Sequence, residues 1–310
     1  MVNVGFIYDF DLTLSEEFQQ YPLFRKYIDN LREIHGVNSP EEYWKLCDGV
    51  HLKIGWLQQF VKDCKEGNFP AMTNEILEKE FGPKVQLSPG LPEWFDRINE
   101  FGKIYGLDIS HHVISSGAEA FIKGTKVFPH LSSLYAGSFE ENGVRIDRVG
   151  NMVSSFEKIE AIKRICKGEG VDLFQDLGLG DYFIQRRRLL IFGDGQTDRS
   201  MFRYGLERGS ASIGVFEENN KRVYDKTVKQ LGNDVVRILP RNYREGSVID
   251  REVKEMLIGL AETSCDMDPD LVYRHGLNQI INPGIKTLVG KHLEDCAYCT
   301  KRKGKKFIYR

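Results

Sequence analysis

The stretch "GFIYDFDLTLS", Gly5 to Ser15, sets two aspartates, Asp9 and Asp11, at the end of an apolar run suited to burial. Val2, Val4, Phe6, Ile7 and Tyr8 are mostly β-branched or aromatic and predict a short interior strand. An unpaired buried carboxylate is costly. The pair therefore needs a cation, hydrogen-bond donors or a chemical role.

Three more apolar runs read as interior strands: "HHVISS" (His111–Ser116), "RRLLIF" (Arg187–Phe192) and "SASIGVF" (Ser210–Phe216). Helical patterns separate them. "LPEWFDRINEFG" spaces Leu91, Trp94, Phe95, Ile98 and Phe101 along one helix face. "SSFEKIEAIKRICKG" does the same with Phe156, Ile159, Ile162, Ile165 and Cys166, opening with the capping-box pattern Ser154-x-x-Glu157 and stopping before Gly168. Strands alternating with helices predict an α/β fold with a parallel sheet.

Between Ser15 and about Pro89 the strand signals vanish. "SPEEYWKLCDGVHLKIGWLQQFVKDC" starts with Ser39 as cap and Pro40 at the first helical position, and "TNEILEKEFG" is a second helix ending at a glycine. Residues 15–89 are expected to be a small helical domain inserted after the first strand, with "SPGLPE" (Ser88–Glu93) as the return hinge. Residues 1–14 and 90–262 would form the α/β core, closing with "DREVKEMLIGLAE" (Asp250–Glu262). Residues 263–310 form an extension with little apolar periodicity, and six of its last ten residues are Lys or Arg.

Composition narrows the function classes. The chain has 310 residues, a 41% apolar share, a 28% charged share and a net charge of −2. These values belong to a soluble globular protein without general attraction to nucleic acid or anionic membrane. No window approaches the roughly 18 apolar residues of a membrane span. The apolar start is too short for a signal peptide and runs straight into Asp9. Six scattered cysteines suggest reduced thiols, so a cytoplasmic location is expected.

The other strand ends are polar too. The second closes in Ser115-Ser116-Gly117, and the third in "GDGQTD", which sets Asp194 and Asp198 just past "LLIF". Open parallel sheets bind ligands outside the carboxyl ends of their strands. Lys158 sits in the first turn of its helix, where a cation is disfavoured by about 0.3–1 kcal/mol. Such local rule-breaking is expected where function demands it, although an exposed lysine would explain it equally well. Close carboxylates attract a hard cation, and Mg²⁺ favours one or two of them together with phosphate oxygens and waters. A metal-held aspartate can attack phosphorus, a second aspartate can protonate the leaving oxygen, and Ser and Lys donors can hold phosphoryl oxygens.

"DFDLT" (Asp9–Thr13), Ser115, Lys158 and "GDGQTD" (Gly193–Asp198) resemble, in order and spacing, the four motifs of the haloacid dehalogenase superfamily. The insertion after the first motif resembles that superfamily's type-1 helical cap. "FIYDFDLTLS", "PGLPEWFDRINEFG", "HHVISSG", "IFGDGQTD" and "YREGSVIDREV" are similar to one subgroup, the haloacid dehalogenase-like hydrolases of unassigned substrate. The likeness covers roughly residues 1–262. It implies a Rossmann-like core in which Asp9 is the nucleophile and Asp11 the general acid, then base, with its backbone carbonyl facing the metal. It further implies that Thr13 supports the loop, that Ser115 and Lys158 bind the phosphoryl group, that Asp194 ligates Mg²⁺ and that Asp198 orients the metal shell. Ser116 and Thr13 are kept as further phosphate-side candidates, with Lys163 as a rival to Lys158. The presence of Asp11 favours phosphate-ester over carbon–halogen chemistry, because an alkoxide needs a proton and a halide does not. The expected activity is Mg²⁺-dependent hydrolysis of a small phosphorylated metabolite. The alternatives are phosphoryl transfer or mutation, and a non-enzymatic interaction protein using the extension.

Several weaker readings stand beside this one. An EF-hand would need Gly and Glu where Leu14 and Gln20 stand. A receiver-type phosphoacceptor would carry its aspartate on a later strand. His292, Cys296 and Cys299 have a zinc-like spacing that Cys265 or His275 could complete, though ordinary reduced cysteines fit the pattern better. The tail "KRKGKKFIYR" is more often a solvated end than a binding segment. In the insertion, Arg25, His51 and Lys53 could face substrate but read first as polar helix faces, while Phe18, Trp44, Trp56 and Phe60 read as its core.

Overall fold

The computed structural model describes residues 1–48, 55–178, 181–263, 275, 277–278 and 283–295. Its seven-stranded sheet runs in the order β4-β3-β2-β1-β5-β6-β7. The strands are β1 (Val2–Tyr8), β2 (Leu107–Ala118), β3 (Ser133–Glu141), β4 (Ile146–Asn151), β5 (Leu189–Gly193), β6 (Ala211–Phe216) and β7 (Arg237–Pro240). All neighbours pair in parallel except β3 and β4. The sheet is therefore α/β, as the alternation of runs predicts. The four expected strands form its centre, while β3, β4 and β7 carry signals too weak or too polar to read.

β1 is central because it is apolar on both faces. Val4, Phe6 and Tyr8 join one core cluster with Trp94, Phe95 and Ile98 of α6 (Glu93–Ile104) and with Ile249 and Val253 of α11 (Val248–Thr263). Ile7 faces the other way. It packs with Ile162 and Ile165 of α8 (Ser155–Lys167) and with Met201 and Phe202 of α9 (Arg199–Leu206). That period-two division places a helical layer on each side. The helix α10 (Lys221–Leu231) follows β6. A last helix, α12 (Pro283–Asp295), buries Val289 and Leu293 in the same cluster as Val4. Four spaced apolar residues within a polar extension gave no legible sign of that packing.

Between β1 and β2 the described residues form helices: α1 (Tyr21–Lys26), α2 (Ile28–His35), α3 (Pro40–Asp48), α4 (Gly55–Glu66) and α5 (Asn74–Ile76), which runs on as a wider turn to Phe81. The helix start expected at Ser39 and Pro40 opens α3, and residues 49–54 before α4, His51 and Lys53 among them, lie outside the described residues. Ser39 accepts from the Glu42 N–H at 3.2 Å, as its capping role predicts. Trp56 and Phe60 are buried here, and Trp44 stacks on Phe18 at 4.6 Å. This cluster also includes Phe121, Phe139 and Ile146 from α7 (Glu119–Lys123) and the β3–β4 hairpin. The insertion therefore rests on an apolar floor supplied by the sheet edge. Asp63 organises it: fully buried, this carboxylate accepts from Gln59 at 3.1 Å, from Asn68 at 2.7 Å and from the Tyr43 hydroxyl, and it meets His35 Nε2 at 2.8 Å.

Cys265, Cys296, Cys299 and the basic residues 301–310 lie outside the described residues, and His292 is on α12. Among the described residues no helix is long and apolar enough to cross a membrane.

A polar chain crosses the main core. Trp94 Nε1 donates to the Tyr8 hydroxyl at 3.0 Å, which lies 3.1 Å from His111 Nδ1, and His111 Nε2 lies 3.0 Å from Asn99 Oδ1. The Asn99 oxygen can only accept, so Nε2 carries the proton and Nδ1 accepts from Tyr8. Next to it, His112 is held between Ser133 and Ser110 at 2.8 and 2.9 Å. Burial pulls His111 from 6.5 down to about 3 and His112 down to about 4. Below pH 6.5 the unfolded chain takes protons that the folded chain refuses, so both histidines withdraw stability as pH falls toward 4. At pH 5 each withdraws about 2 kcal/mol. Urea melts of a His111→Gln variant at pH 7 and pH 5 should show a pH-dependent loss about 2 kcal/mol smaller than in the wild type.

Candidate active site

Strand register brings the polar ends together. Tyr8 pairs with Val113 on one side and with Phe192 on the other, so these three residues lie side by side across the sheet. One residue further along β1 is Asp9, two further along β2 is Ser115, and two further along β5 is Asp194. The Asp9 N–H donates to the Phe192 carbonyl at 2.9 Å, which ties the first loop to β5.

Lys158 arrives from the start of α8. Its helix opens with the expected capping box: Ser154 Oγ accepts from the Phe156 N–H at 3.3 Å, and Glu157 accepts from the Ser154 N–H at 3.0 Å. The exposed-lysine alternative does not hold, because Lys158 is only 1% exposed. Its ammonium donates to Asp9 Oδ1 at 2.9 Å and to Asp198 Oδ1 at 2.7 Å. Burial alone would discharge this lysine, but the Asp198 and Asp9 carboxylates outweigh it and hold the ammonium above its ordinary value. Lys163, the rival, is exposed.

Asp9, Asp194 and Asp198 each offer an oxygen, all within 4.8 Å of one another. Burial pushes Asp9 well above the carboxylate range, with the Asp198 charge adding to it and Lys158 opposing. Asp194 is pushed to about 7 by burial, by Asp198 and by Asp11. Asp11 rises to about 6 through burial, held back by two hydrogen bonds from Gln19. Asp9 and Asp198 bond the Lys158 ammonium, and Asp11 and Asp194 lie near enough to feel its charge. A hard divalent cation fits this donor set: it would sit among all-oxygen ligands and offset the burial and like-charge repulsion that raise Asp9 and Asp194.

The remaining candidates fall into two groups. Ser115 is 1% exposed, and its Oγ accepts from the Gly117 N–H at 3.0 Å, which leaves the hydroxyl proton free. Thr13 is fully buried, with its hydroxyl unpartnered. Ser116 donates to the Val153 carbonyl at 2.8 Å instead, because adjacent strand residues face opposite ways. Arg25 forms two 2.6 Å hydrogen bonds to Glu17 at the surface of the insertion.

Four supports of the first loop escaped sequence reading. Leu12, between Asp11 and Thr13, sits at φ +57°, a left-handed conformation that is uphill for a leucine. Arg241 holds it from just past β7: Nη1 donates to the Leu12 carbonyl at 3.1 Å and Nη2 to the Glu16 carbonyl at 3.0 Å. Ser88 and Tyr243 both donate to the Thr13 carbonyl at 3.2 Å. The fourth is Gln19, which binds Asp11 twice. Such partners, up to 230 positions apart in sequence, leave no local pattern. Beside the loop a cleft of about 780 Å³ runs from Asp194 past Glu16 and Arg241 to Lys226 on α10.

No family model matches the chain. An uncharacterized protein of Borreliella burgdorferi is 30% identical over 146 residues, which is 44% of this chain and 50% of that protein. The match thus spans about half the length of that relative. Among solved structures, a phospho-aspartyl intermediate analogue of phosphoserine phosphatase aligns with a TM-score of 0.50 at 17% identity, covering 82% of this chain and 99% of that one. A substrate-bound phosphoserine phosphatase complex gives the same score and identity over 79% and 97%. The chain has the haloacid dehalogenase-like fold of these phosphatase structures, which is the fold its motifs predict.

Breaking a buried ion pair from one side leaves an uncompensated charge and costs about 3–5 kcal/mol. Lys158→Met, measured by urea denaturation at neutral pH without divalent cations, should lower stability by about 3 kcal/mol, whereas exposed Lys163→Met should change it by less than about 0.5 kcal/mol.

Proposed function

We propose that the chain is a Mg²⁺-dependent phosphomonoester hydrolase that works through a phospho-aspartate at Asp9. The observation carrying this reading is the meeting of Asp9, Asp194 and Asp198 around the Lys158 ammonium at the carboxyl ends of β1 and β5. The fold shared with phosphoserine phosphatase structures, one of them a phospho-aspartyl intermediate analogue, supports it.

Each residue then has a task. An Asp9 carboxylate oxygen bonds to phosphorus while the bond from phosphorus to the leaving oxygen breaks. The released electron pair stays on the leaving oxygen, which takes a proton from Asp11. In the second half, Asp11 accepts a proton from water as the water oxygen bonds to phosphorus. The bond from Asp9 to phosphorus breaks, its electrons return to the carboxylate, and inorganic phosphate departs. Ser115 and Lys158 hold the phosphoryl oxygens, where charge concentrates. A Mg²⁺ held by Asp9 and Asp194, with the Asp11 backbone carbonyl facing it and Asp198 fixing its shell, would neutralise the facing oxygens. Asp11 at about 6 is poised to give and take a proton near neutral pH. The helical insertion, residues 15–89, acts as the cap that selects a small phosphorylated substrate and excludes water.

Turnover, metal dependence and metal-linked stability test the reading. With Mg²⁺, the wild type should release inorganic phosphate from 4-nitrophenyl phosphate and carry a phosphoryl mass adduct on Asp9 after acid quench. Asp9→Asn should show neither, and its unchanged turnover would remove the mechanism. Chelation of divalent cations should stop the wild type, and added Mg²⁺ should restore it. Added to the apo protein, Mg²⁺ at a hundredfold over its Kd should raise stability by about 2.7 kcal/mol, with Asp194→Asn losing most of that gain.

A further inference from the structure

We infer that Gln19 is the positioning residue for the Asp11 carboxyl group and governs delivery of the leaving-group proton rather than phosphoryl binding. This rests on the phosphatase reading above and adds a residue that no motif contains.

Gln19 holds both oxygens of Asp11. Its backbone N–H donates to Oδ1 at 2.7 Å, and its side-chain Nε2 donates to Oδ2 at 3.1 Å. A carboxyl group gripped at both oxygens by one residue cannot rotate about its terminal torsion, which is otherwise a broad and soft one. The amide turns its Nε2 toward the Asp11 carboxyl group. The Gln19 Oε1 is left buried and without a partner. A side chain that is fully buried with half of its amide unsatisfied is poor material for the core alone.

The amide is confined from the other side as well. A Cβ at Gly117 would fall on the Gln19 side chain. Glycine at the end of β2 thus keeps open the slot in which the amide lies. Among the described residues no hydrogen bond runs from Gln19 to Asp9, Ser115 or Lys158. Asp9 is anchored to the core through Phe192 and Lys158, whereas Asp11 is anchored to the residue that precedes Gln20, the cap of α1. Nucleophile and proton donor are therefore held by separate structures, and the donor can be disturbed alone.

That separation gives a distinctive test. Formation of the phosphoenzyme, read as kcat/KM, needs a proton for phenyl phosphate but scarcely any for 4-nitrophenyl phosphate, whose phenolate leaves unaided. Two substitutions reach the same amide from opposite sides: Gln19→Met removes its donor, and Gly117→Ala displaces it. Each should lower kcat/KM for phenyl phosphate roughly tenfold or more while lowering that for 4-nitrophenyl phosphate less than about threefold. In an Asp11→Ala background the same substitutions should leave the ratio of the two substrates unchanged. Equal losses on both substrates, no loss on either, or a changed ratio in the Asp11→Ala background would overturn the assignment. Loss of a cooperative thermal melt in both variants would overturn it too, assigning Gln19 to the fold. A wild type inert toward both esters, even with Mg²⁺, marks instead the failure of the phosphatase reading, and this inference falls with it.

Discussion

One ammonium group holds the centre of this molecule together. Lys158 projects from the first turn of its helix into a site that solvent barely reaches, and it binds the carboxylates of Asp9 and Asp198 together. The three groups come from the end of β1, the start of α8 and the turn after β5, so one charge cluster ties three separate chain segments. It is also an unbalanced cluster. Asp194 and Asp11 add two further carboxylates, and burial raises the proton affinity of both. Such a site stores electrostatic repulsion until positive charge or a phosphoryl group's partners arrive, and preorganised sites of this kind use low dielectric to sharpen each interaction.

The rest of the architecture serves to hold this cluster in register. β1 lies at the middle of the sheet with its two faces divided between separate apolar layers, so its carboxyl end has little freedom to move. The loop that follows takes an unfavourable turn at Leu12, and the strain is offset by Arg241, Tyr243 and Ser88, which come from distant segments. Backbone strain of this type persists only where the surroundings over-determine it. The helical insertion has its own organiser in Asp63, yet shares its apolar floor with α7 and the β3–β4 hairpin. It is thus seated on the sheet edge beside the site rather than tethered at a distance.

Much of the candidate site was legible because each piece has a local signature. An apolar run that stops at two aspartates, a Ser-Ser-Gly strand end, a lysine out of place after a capping box and a Gly-Asp-Gly turn are all short patterns with direct physical costs or uses. The supports were illegible for the opposite reason. Gln19 resembles any polar residue before a helix, and Arg241 is one more cation after a weak strand. Ser116 shows the limit within a motif: alternation along β2 turns its hydroxyl toward Val153, which residue type alone does not reveal. The strands β3 and β4 at one side of the sheet and the docking of α12 were missed because their apolar residues are few and set among polar ones.

The sequence by itself determined the alternation of strands and helices, the apolar centre of the sheet, and the set of acidic and basic side chains at the strand ends. These follow from hydrophobic period and from the cost of burying charge, which act over a few neighbouring residues. Only the tertiary structure decided that Lys158 bridges Asp9 and Asp198, that Gln19 grips Asp11, and that Arg241 steadies Leu12. Those pairings depend on strand order and register, which bring together groups from opposite ends of the chain, and no local interaction energy encodes them.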